Sequence, residues 1–506
     1  MGDEIEMQKR KIMWAVRLIF VAIFLMPSWG WGATWYCRPV GAEYGAEDGT
    51  TYATAYDGPG DITWGVGGVV AGDTLYMCGV HVAYFNVGAS GSTGNPITIR
   101  FDYPGDPGSN EVAGGTAHAI RMSGVNYITI IGDSTYVGGV LSGGTTNGVG
   151  VISAGTNIKL QYLTLKDNTV NGVQFAGANG EISYCKIYGN DQKGISSGAA
   201  NNLWVHHNSV HDNGTVGENN HDGIFVGSIS TGVIVEYNDV YNQLGNQGTG
   251  IDFSGSAGGS STATVRYNKI YNGAGNGMSA SGEAGNTDTL TAYSNLIYGN
   301  ASNFRGYETV IEVLYNNTFG SATSIGVLFL AGAGAQTVTF KNNIIKGTFP
   351  YAISTDPTNV TLTSDYNCIQ GGTTATTSYD GANNTWAQWQ VSTSGDAHSI
   401  NSDPLFVSAT DFHLLAGNPC IDTGTATGLG ANFLDLDGIA MTDGAGNALG
   451  AGVDIGCYNF AGHGANGPSQ GGMGLGVENI DPLEILGFRY AALDLYAFRG
   501  HSHFNR

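Results

Sequence analysis

Between residues 193 and 252 the chain concentrates groups able to hold cations and move protons: Lys193, His206, His207, His211, Glu218, His221, Asp222 and Asp252. Asp222, Asp252 and Glu218 offer the hard oxygen ligands that calcium takes. Lys193, His221 and, further along, Arg305 are of the types that remove a proton made acidic by a neighbouring carboxylate. His207 and His211 carry the donors and acceptors that would hold substrate hydroxyls. Together they suit cleavage of a uronate-containing polysaccharide by β-elimination. A bound Ca2+ would neutralise the sugar carboxylate, and Lys193 would take the C5 proton, its pKa lowered by burial or by the cation. A C5-epimerase opens with the same proton removal. Hydrolysis would instead need two carboxylates about 5–10 Å apart across the scissile bond, with Asp222 and Asp252 as the pair or Glu218 as an alternative acid. Each residue also has a plainer reading: Asp222 as a turn cap, Lys193 as a solvated corner residue, the histidines as stacked rings, and Glu236, Asp239 and Lys269 as solvated strand positions.

Whether these residues meet depends on a repeat. An x-Gly-(Val/Ile/Met) step recurs at Gly148, Gly172, Gly194, Gly223, Gly250 and Gly277. An Asn column follows at Asn208, Asn238, Asn268, Asn295, Asn317, Asn343 and Asn367, with Cys185 one unit earlier. Short alternating runs such as Val233–Tyr237 and Thr337–Phe340 lie between, with the period of strands. One such unit cannot bury its own apolar face, so units must stack, about 4.8 Å apart, as an all-β parallel solenoid. The glycines are expected at corners that require unusual backbone angles. The Asn amides are expected to form an inward ladder, and Tyr188, His211, Tyr241, Tyr271 and Tyr298 a stack of rings. The residues before the glycines then form a column: Asn147, Asn171, Lys193, Asp222, Thr249, Asn276 and, through Asn303-Phe304-Arg305-Gly306, Arg305. Lys193 and Asp222 fall on adjacent rungs, and Asp252 on the next.

The 506 residues contain 81 glycines and only 12% charged side chains, which fits a turn-rich solenoid and not a charge-rich disordered chain. The net charge of −22 lacks the basic footprint of a nucleic-acid binder; it permits calcium and serves solubility. Residues 1–32 read as a secretory signal: Lys9-Arg10-Lys11, an apolar stretch from Ile12 to Met26 interrupted by Arg17, and small residues before Ala33. That stretch is too short and broken for a stable membrane span. The mature protein is thus expected to be extracellular or periplasmic, and a monomer. Residues 33–95 read as an N-terminal cap with lead-in strands, 96–370 as the helix of strands, 371–461 as a C-terminal β-rich extension, and 462–506 as a Gly-rich linker and tail. Export makes disulfides possible: Cys37 with Cys78 and Cys420 with Cys457, leaving Cys185 and Cys368 buried as thiols.

The Gly72-Asp73-Thr74-Leu75-Tyr76 start, the x-Gly-Ile repeats and the closing Asp403-Pro404-Leu405-Phe406, Ile421-Asp422-Thr423-Gly424 and Asp454-Ile455-Gly456 resemble the secreted right-handed parallel β-helix proteins of pectate-lyase type. Many of these are polysaccharide lyases or glycosidases. The resemblance implies the right-handed coil. His221-Asp222-Gly223-Ile224 is similar to the first calcium corner of polysaccharide lyase family nine, and Asp252 to the last aspartate of its second. Asn276-Gly277-Met278-Ser279 matches the corner that carries the base in that family, with Ser279 where a lysine would stand. A non-enzymatic reading also remains: an adhesive surface solenoid that binds glycans through its tyrosines.

Overall fold

The computed structural model describes residues 32–460, apart from 109, 114–117, 137, 144–146, 216–220, 246–247, 309, 331, 333, 373–374 and 380, with backbone only for 147–154 and 376. Glu218, nearly all of the expected leader and the whole tail lie outside the described residues.

Strands repeat in threes along the chain and stack into three parallel sheets of 14, 12 and 13 strands among the described residues. The only antiparallel pairing between these strands is Ala375–Tyr379 with Ala382–Asn384, at the C-terminal end of the third sheet. Stacking begins before residue 96: Thr34–Arg38 and Thr74–Met77 already pair with one another.

Alternation places apolar columns of each sheet inside. In the first sheet Leu75, Ile99, Ile130, Leu160, Ile182, Val205, Val235 and Val265 lie in register. In the second, Leu165, Ile187, Val210, Val240, Ile270 and Ile297 do the same. All of these are buried, and each is worth roughly 1.5–3 kcal/mol of transfer free energy.

The tightest bend lies between the first and second sheets. A single left-handed residue makes it, at Tyr162, Tyr184, His207, Tyr237, Tyr267, Asn316 and Asn342. For a non-glycine residue this conformation costs about 1–2 kcal/mol. The next residue offsets that cost. Asn208, Asn238, Asn268, Asn295, Asn317 and Asn343 each donate Nδ2 to the Oδ1 of the following Asn at 2.9–3.3 Å. Cys185 stands in the same column, its N–H donating to Asn208 Oδ1. A second amide ladder, Asn168 to Asn190 to Asn213, lines the corner that leads into the third sheet.

The repeat glycines act differently from expectation. None of Gly172, Gly194, Gly223, Gly250 and Gly277 has a positive φ. They are required by close approach: a Cβ on Gly223 would lie 2.7 Å from Gly250 O and 2.8 Å from Val240 Cγ1, and one on Gly250 2.6 Å from Gly277 O. The corner is packed too closely against the next rung for any side chain.

The ends are closed. Asp73 gathers Ala33 N, Trp35 Nε1 and Val70 N at the first coil. At the other end, the helix Trp386–Thr393 opens on a capping box from Thr385 and Gln388 and seats the fully buried Trp389, whose Nε1 donates to Asp396. Residues 403–460 then run back along the solenoid. Asn342 binds this segment through Thr425 and Gly456, and Asn316 through Asp454 O. Its aspartates tie turns: Asp435 accepts from Ile439 and Asn459, and Asp454 from Asp422 and Phe460.

The six cysteines are buried thiols. The expected Cys420–Cys457 pairing is not formed, because the returning segment seats the two in different apolar clusters, Cys420 with Ile344 and Cys368, Cys457 with Tyr267 and Leu296. Cys37 and Cys78 are neighbours, with Cys78 N donating to Cys37 O, but they too are unbridged. Among the described residues no helix is long and apolar enough to cross a membrane.

One interior position departs from the apolar rule. Glu312 stands in the inward column between Leu290 and Val338 and is fully buried. Among the described residues neither of its carboxyl oxygens has a hydrogen-bond partner. The Gln336 amide faces it and offsets only part of the burial, which pushes its pKa well above the usual carboxylate range. Gly306 makes the room, since a Cβ there would meet Glu312 at 2.1 Å.

Two measurements follow from this interior. Asn268→Ala removes both bonds along the ladder and leaves Val235 O and Arg266 O without their amide donor. Denaturant unfolding should show a loss of about 2–4 kcal/mol; a loss under about 1 kcal/mol would mean the ladder is not what holds the bend. Glu312 stays protonated when folded but ionises when unfolded above its ordinary value of 4.5, so its stabilising proton is lost as pH rises through the folded pKa. Glu312→Gln should melt higher than the parent in mildly alkaline buffer and level with it in acid.

Candidate functional site

Parallel register decides which of the chemical residues meet. The corner column before the third sheet reads Asn171, Lys193, Asp222, Thr249 and Asn276, one per rung, set by the pairings Val173–Ile195, Ile195–Ile224, Ile224–Ile251 and Ile251–Met278. Three residues further along each strand lies a parallel outward column: Ser196, Phe225, Asp252, Ser279 and Arg305.

Within this patch Lys193 Nζ sits 2.7 Å from Asp222 Oδ2 and 4.8 Å from the centre of the Phe225 ring. The other carboxylate oxygen, Asp222 Oδ1, accepts Thr249 N at 3.1 Å. Asp222 is buried, whereas the Lys193 side chain keeps 17% of its surface, so the ammonium forms the solvent edge of a covered carboxylate. Asp252 accepts from Ser279 Oγ at 2.5 Å, and Ser279 lies 3.4 Å from Thr249 Oγ1. Desolvation, with the charge of Asp222 next, raises Asp252 to about 7, against the opposing pull of Ser279 and Lys193. Asp252 retains part of its surface, so this proton can exchange with solvent or a ligand.

Asp222, Asp252 and Lys193 are therefore brought together as expected from their spacing. Arg305 is not in the corner column. The register puts Ser302 there, opposite Asn276, because the strand Asn300–Glu308 starts early and Gly306 lies in its middle, facing Glu312. Arg305 falls instead in the Asp252 column, beyond Ser279. It packs over Tyr307, and its Nε has no hydrogen-bond partner among the described residues. His221 is buried, and its Nδ1 bonds to none of the described residues.

The two substrate histidines lie elsewhere. His207 is sandwiched between Tyr184 and Tyr237 at 4.9 and 5.1 Å. His211 is sandwiched between Tyr188 and Tyr241 at 4.9 and 4.7 Å, and its Nδ1 pairs with Asp212. Their ring faces are spent on packing at the first bend and on the second sheet, not at the Lys193 corner. Glu236, expected to be solvated, is buried in an ion pair with Arg266; the outward face of the first sheet hides it beneath Trp204 and the returning segment. Strand alternation marks such a position as outward, and only the tertiary cover buries it.

The donors at the corner are all oxygen: two carboxylates and the Thr249 and Ser279 hydroxyls. That is the ligand type calcium takes. Among the described residues no three His, Cys, Asp or Glu side chains converge on one point, so water or substrate oxygens would have to complete a shell around Asp222 and Asp252.

A family model described as right-handed beta helix region matches residues 147–306 and again 215–385. The solenoid is a right-handed parallel β-helix. No curated protein matches the chain. Solved structures similar to it include a pectate lyase, Pel9A (12% identity, TM-score 0.47, 84% of this chain and 96% of that one). Another is the A-module of the Azotobacter vinelandii mannuronan C-5 epimerase AlgE6 (12%, 0.40, 74% and 92%). A third is a mannuronic-acid-specific family 6 lyase from human gut microbiota (12%, 0.43, 70% and 84%).

The raised Asp252 pKa gives this β-helix a pH signature. Folding takes up a proton at Asp252 between its ordinary value of 3.8 and about 7, so the stability this proton contributes is complete below that window and lost as pH rises through about 7. Asp252→Asn should flatten the fall in melting temperature across that window; an unchanged profile would place the Asp252 proton elsewhere.

Proposed function

We propose that this protein is an exported carbohydrate-active enzyme, and that it cleaves an acidic, uronate-containing polysaccharide by β-elimination. The observation that carries this reading is the Lys193–Asp222–Asp252 cluster: a lysine on the solvent edge of two carboxylates, one rung apart, on one face of the coil. The similarity of His221-Asp222-Gly223-Ile224 to a calcium corner of family-nine lyases points the same way.

In this reading Asp222 and Asp252 would hold calcium, with Glu218 as a further ligand. When bound, calcium supplies positive charge against the sugar carboxylate and so acidifies the C5 proton. A base at this position must be the free amine, so Lys193 acts in its unprotonated form. Lys193 Nζ then takes the C5 proton. The C5–H electron pair becomes the C4=C5 double bond, the C4–O bond to the leaving sugar breaks, and the departing oxygen takes a proton from water. Arg305, in the same outward column as Asp252, is placed to bind a second uronate carboxylate along the chain. His221, buried and adjacent to Asp222 in sequence, takes no part in these steps.

A second reading has its own support. Asp252 is raised to about 7, while Asp222 is bonded to Lys193 and a backbone N–H. That is the acid and base split of a glycoside hydrolase, with Asp252 protonating the leaving oxygen and Asp222 activating water. An epimerase would share the Lys193 step and return a proton to the opposite face of C5.

The deciding experiment incubates the protein with polygalacturonate, alginate and glycosaminoglycans and follows ultraviolet absorbance and reducing ends together. A rise in absorbance, abolished by chelator and cut about 10²-fold or more in Lys193→Ala and Asp222→Ala, supports the lyase. Reducing ends without absorbance move the assignment to the hydrolase. Silence in both, with substrate still bound, leaves a binding solenoid.

A further inference from the structure

On the first sheet, away from the corner column, the outward residues of successive rungs and the returning segment enclose a groove of about 540 Å³. Its floor is Glu236, Arg266, Tyr293 and Tyr315, consecutive along one outward column. Its far wall is the stretch 428–434, with Phe433 packed on Tyr293 at 4.9 Å.

The polar groups at its base are fixed by one another. Glu236 Oε1 accepts Trp204 Nε1 at 2.8 Å, and Oε2 accepts Arg266 Nε at 2.5 Å. Arg266 also donates to Tyr293 Oη at 2.7 Å. The wall is anchored too: Ser294 Oγ donates to Leu434 O, and Phe433 N to Thr442 Oγ1. A shaped pocket with ring surfaces on two sides and a few held polar groups is the general form of a small-ligand site.

Its chemistry narrows the ligand. The carboxylate and guanidinium balance, so the groove has no net charge to attract an anion, and an acidic sugar would set its carboxylate against Glu236. The rings of Tyr293, Tyr315 and Phe433 ask for an apolar face. Each Glu236 oxygen keeps a lone pair, and the guanidinium offers donors, so the ligand must both donate and accept over a short span, as hydroxyls do. A pyranose combines an apolar C–H face with a rim of hydroxyls. Trp204, 40% exposed beside this column, extends the platform.

We propose that this groove is a second saccharide site that binds neutral pyranose units, separate from the Lys193 corner and independent of which reaction that corner performs. It would hold the neutral part of a mixed polysaccharide, or a neighbouring neutral chain, while the corner acts on another.

The test is calorimetric titration of the full chain with cellohexaose, xylohexaose, mannohexaose and hexagalacturonate. At least one neutral hexamer should bind. Tyr315→Ala, and Thr291→Arg, which pushes bulk into the groove from a half-exposed position, should each weaken that binding about tenfold or more, the equivalent of about 1.4 kcal/mol. Asp222→Ala should leave it unchanged, so a failure of the lyase reading does not touch this one. Absence of binding by all three neutral hexamers, binding that Thr291→Arg does not weaken, or binding of hexagalacturonate alone at this groove would each overturn the proposal.

Discussion

Parallel register is the constraint on which the rest of this protein depends. Once each strand pairs with its counterpart one coil later, every side chain has its neighbours assigned: the residues in the same column, one rung to either side. The Asn ladder shows the stabilising use of this rule. Asn238, Asn268 and Asn295 are buried, where an unpaired amide would be costly, and each is satisfied by the next copy of itself. That chain of bonds fixes the register at the bend, and the register in turn keeps the apolar columns inside.

The same rule makes the candidate site. Lys193 and Asp222 are 29 residues apart in sequence, yet a charge placed in the corner column has no choice of partner. Asp222 is buried by the coil and would be destabilising alone; Lys193 on the preceding rung compensates it. Asp252 sits on the following rung, where Lys193 compensates it only in part, and takes the rest of its relief from a proton and from Ser279. The site is thus strained in charge rather than in backbone: two carboxylates share one ammonium, and a second positive charge, from a cation or a substrate group, would balance them.

What was legible in the residues follows from this regularity. The Asn column, the Tyr188–Tyr298 ring stack and the adjacency of Lys193, Asp222 and Asp252 all depend on counting from one repeat to the next, and counting succeeds where every rung has the same shape. It fails where a rung changes shape. The strand Asn300–Glu308 begins early, two residues after Tyr298, so Gly306 resembles a corner glycine but sits in mid-strand, and Arg305 moves to a different column. The glycines were recognisable as corners, but their cause, a neighbouring carbonyl at less than 3 Å, is a tertiary distance with no local signal. Glu236 and Cys420 were misplaced for a related reason: the segment 403–460 folds back over the coil, and no periodicity in the strands announces what will cover them.

That returning segment also changes what an outward face of the coil can do. A bare β-helix surface is a flat array of columns, able to present groups but not to enclose a ligand. Covering the first sheet with 428–434 converts one column, Glu236 to Tyr315, into the floor of a groove, while Lys193 keeps part of its surface at the third-sheet corner. A walled, neutral groove suits a shorter contact that must be held. The cover is bound to the coil by Asn316 and Asn342, which stand in the left-handed position just before two Asn ladder residues, so the bend that sets the register also seats the wall.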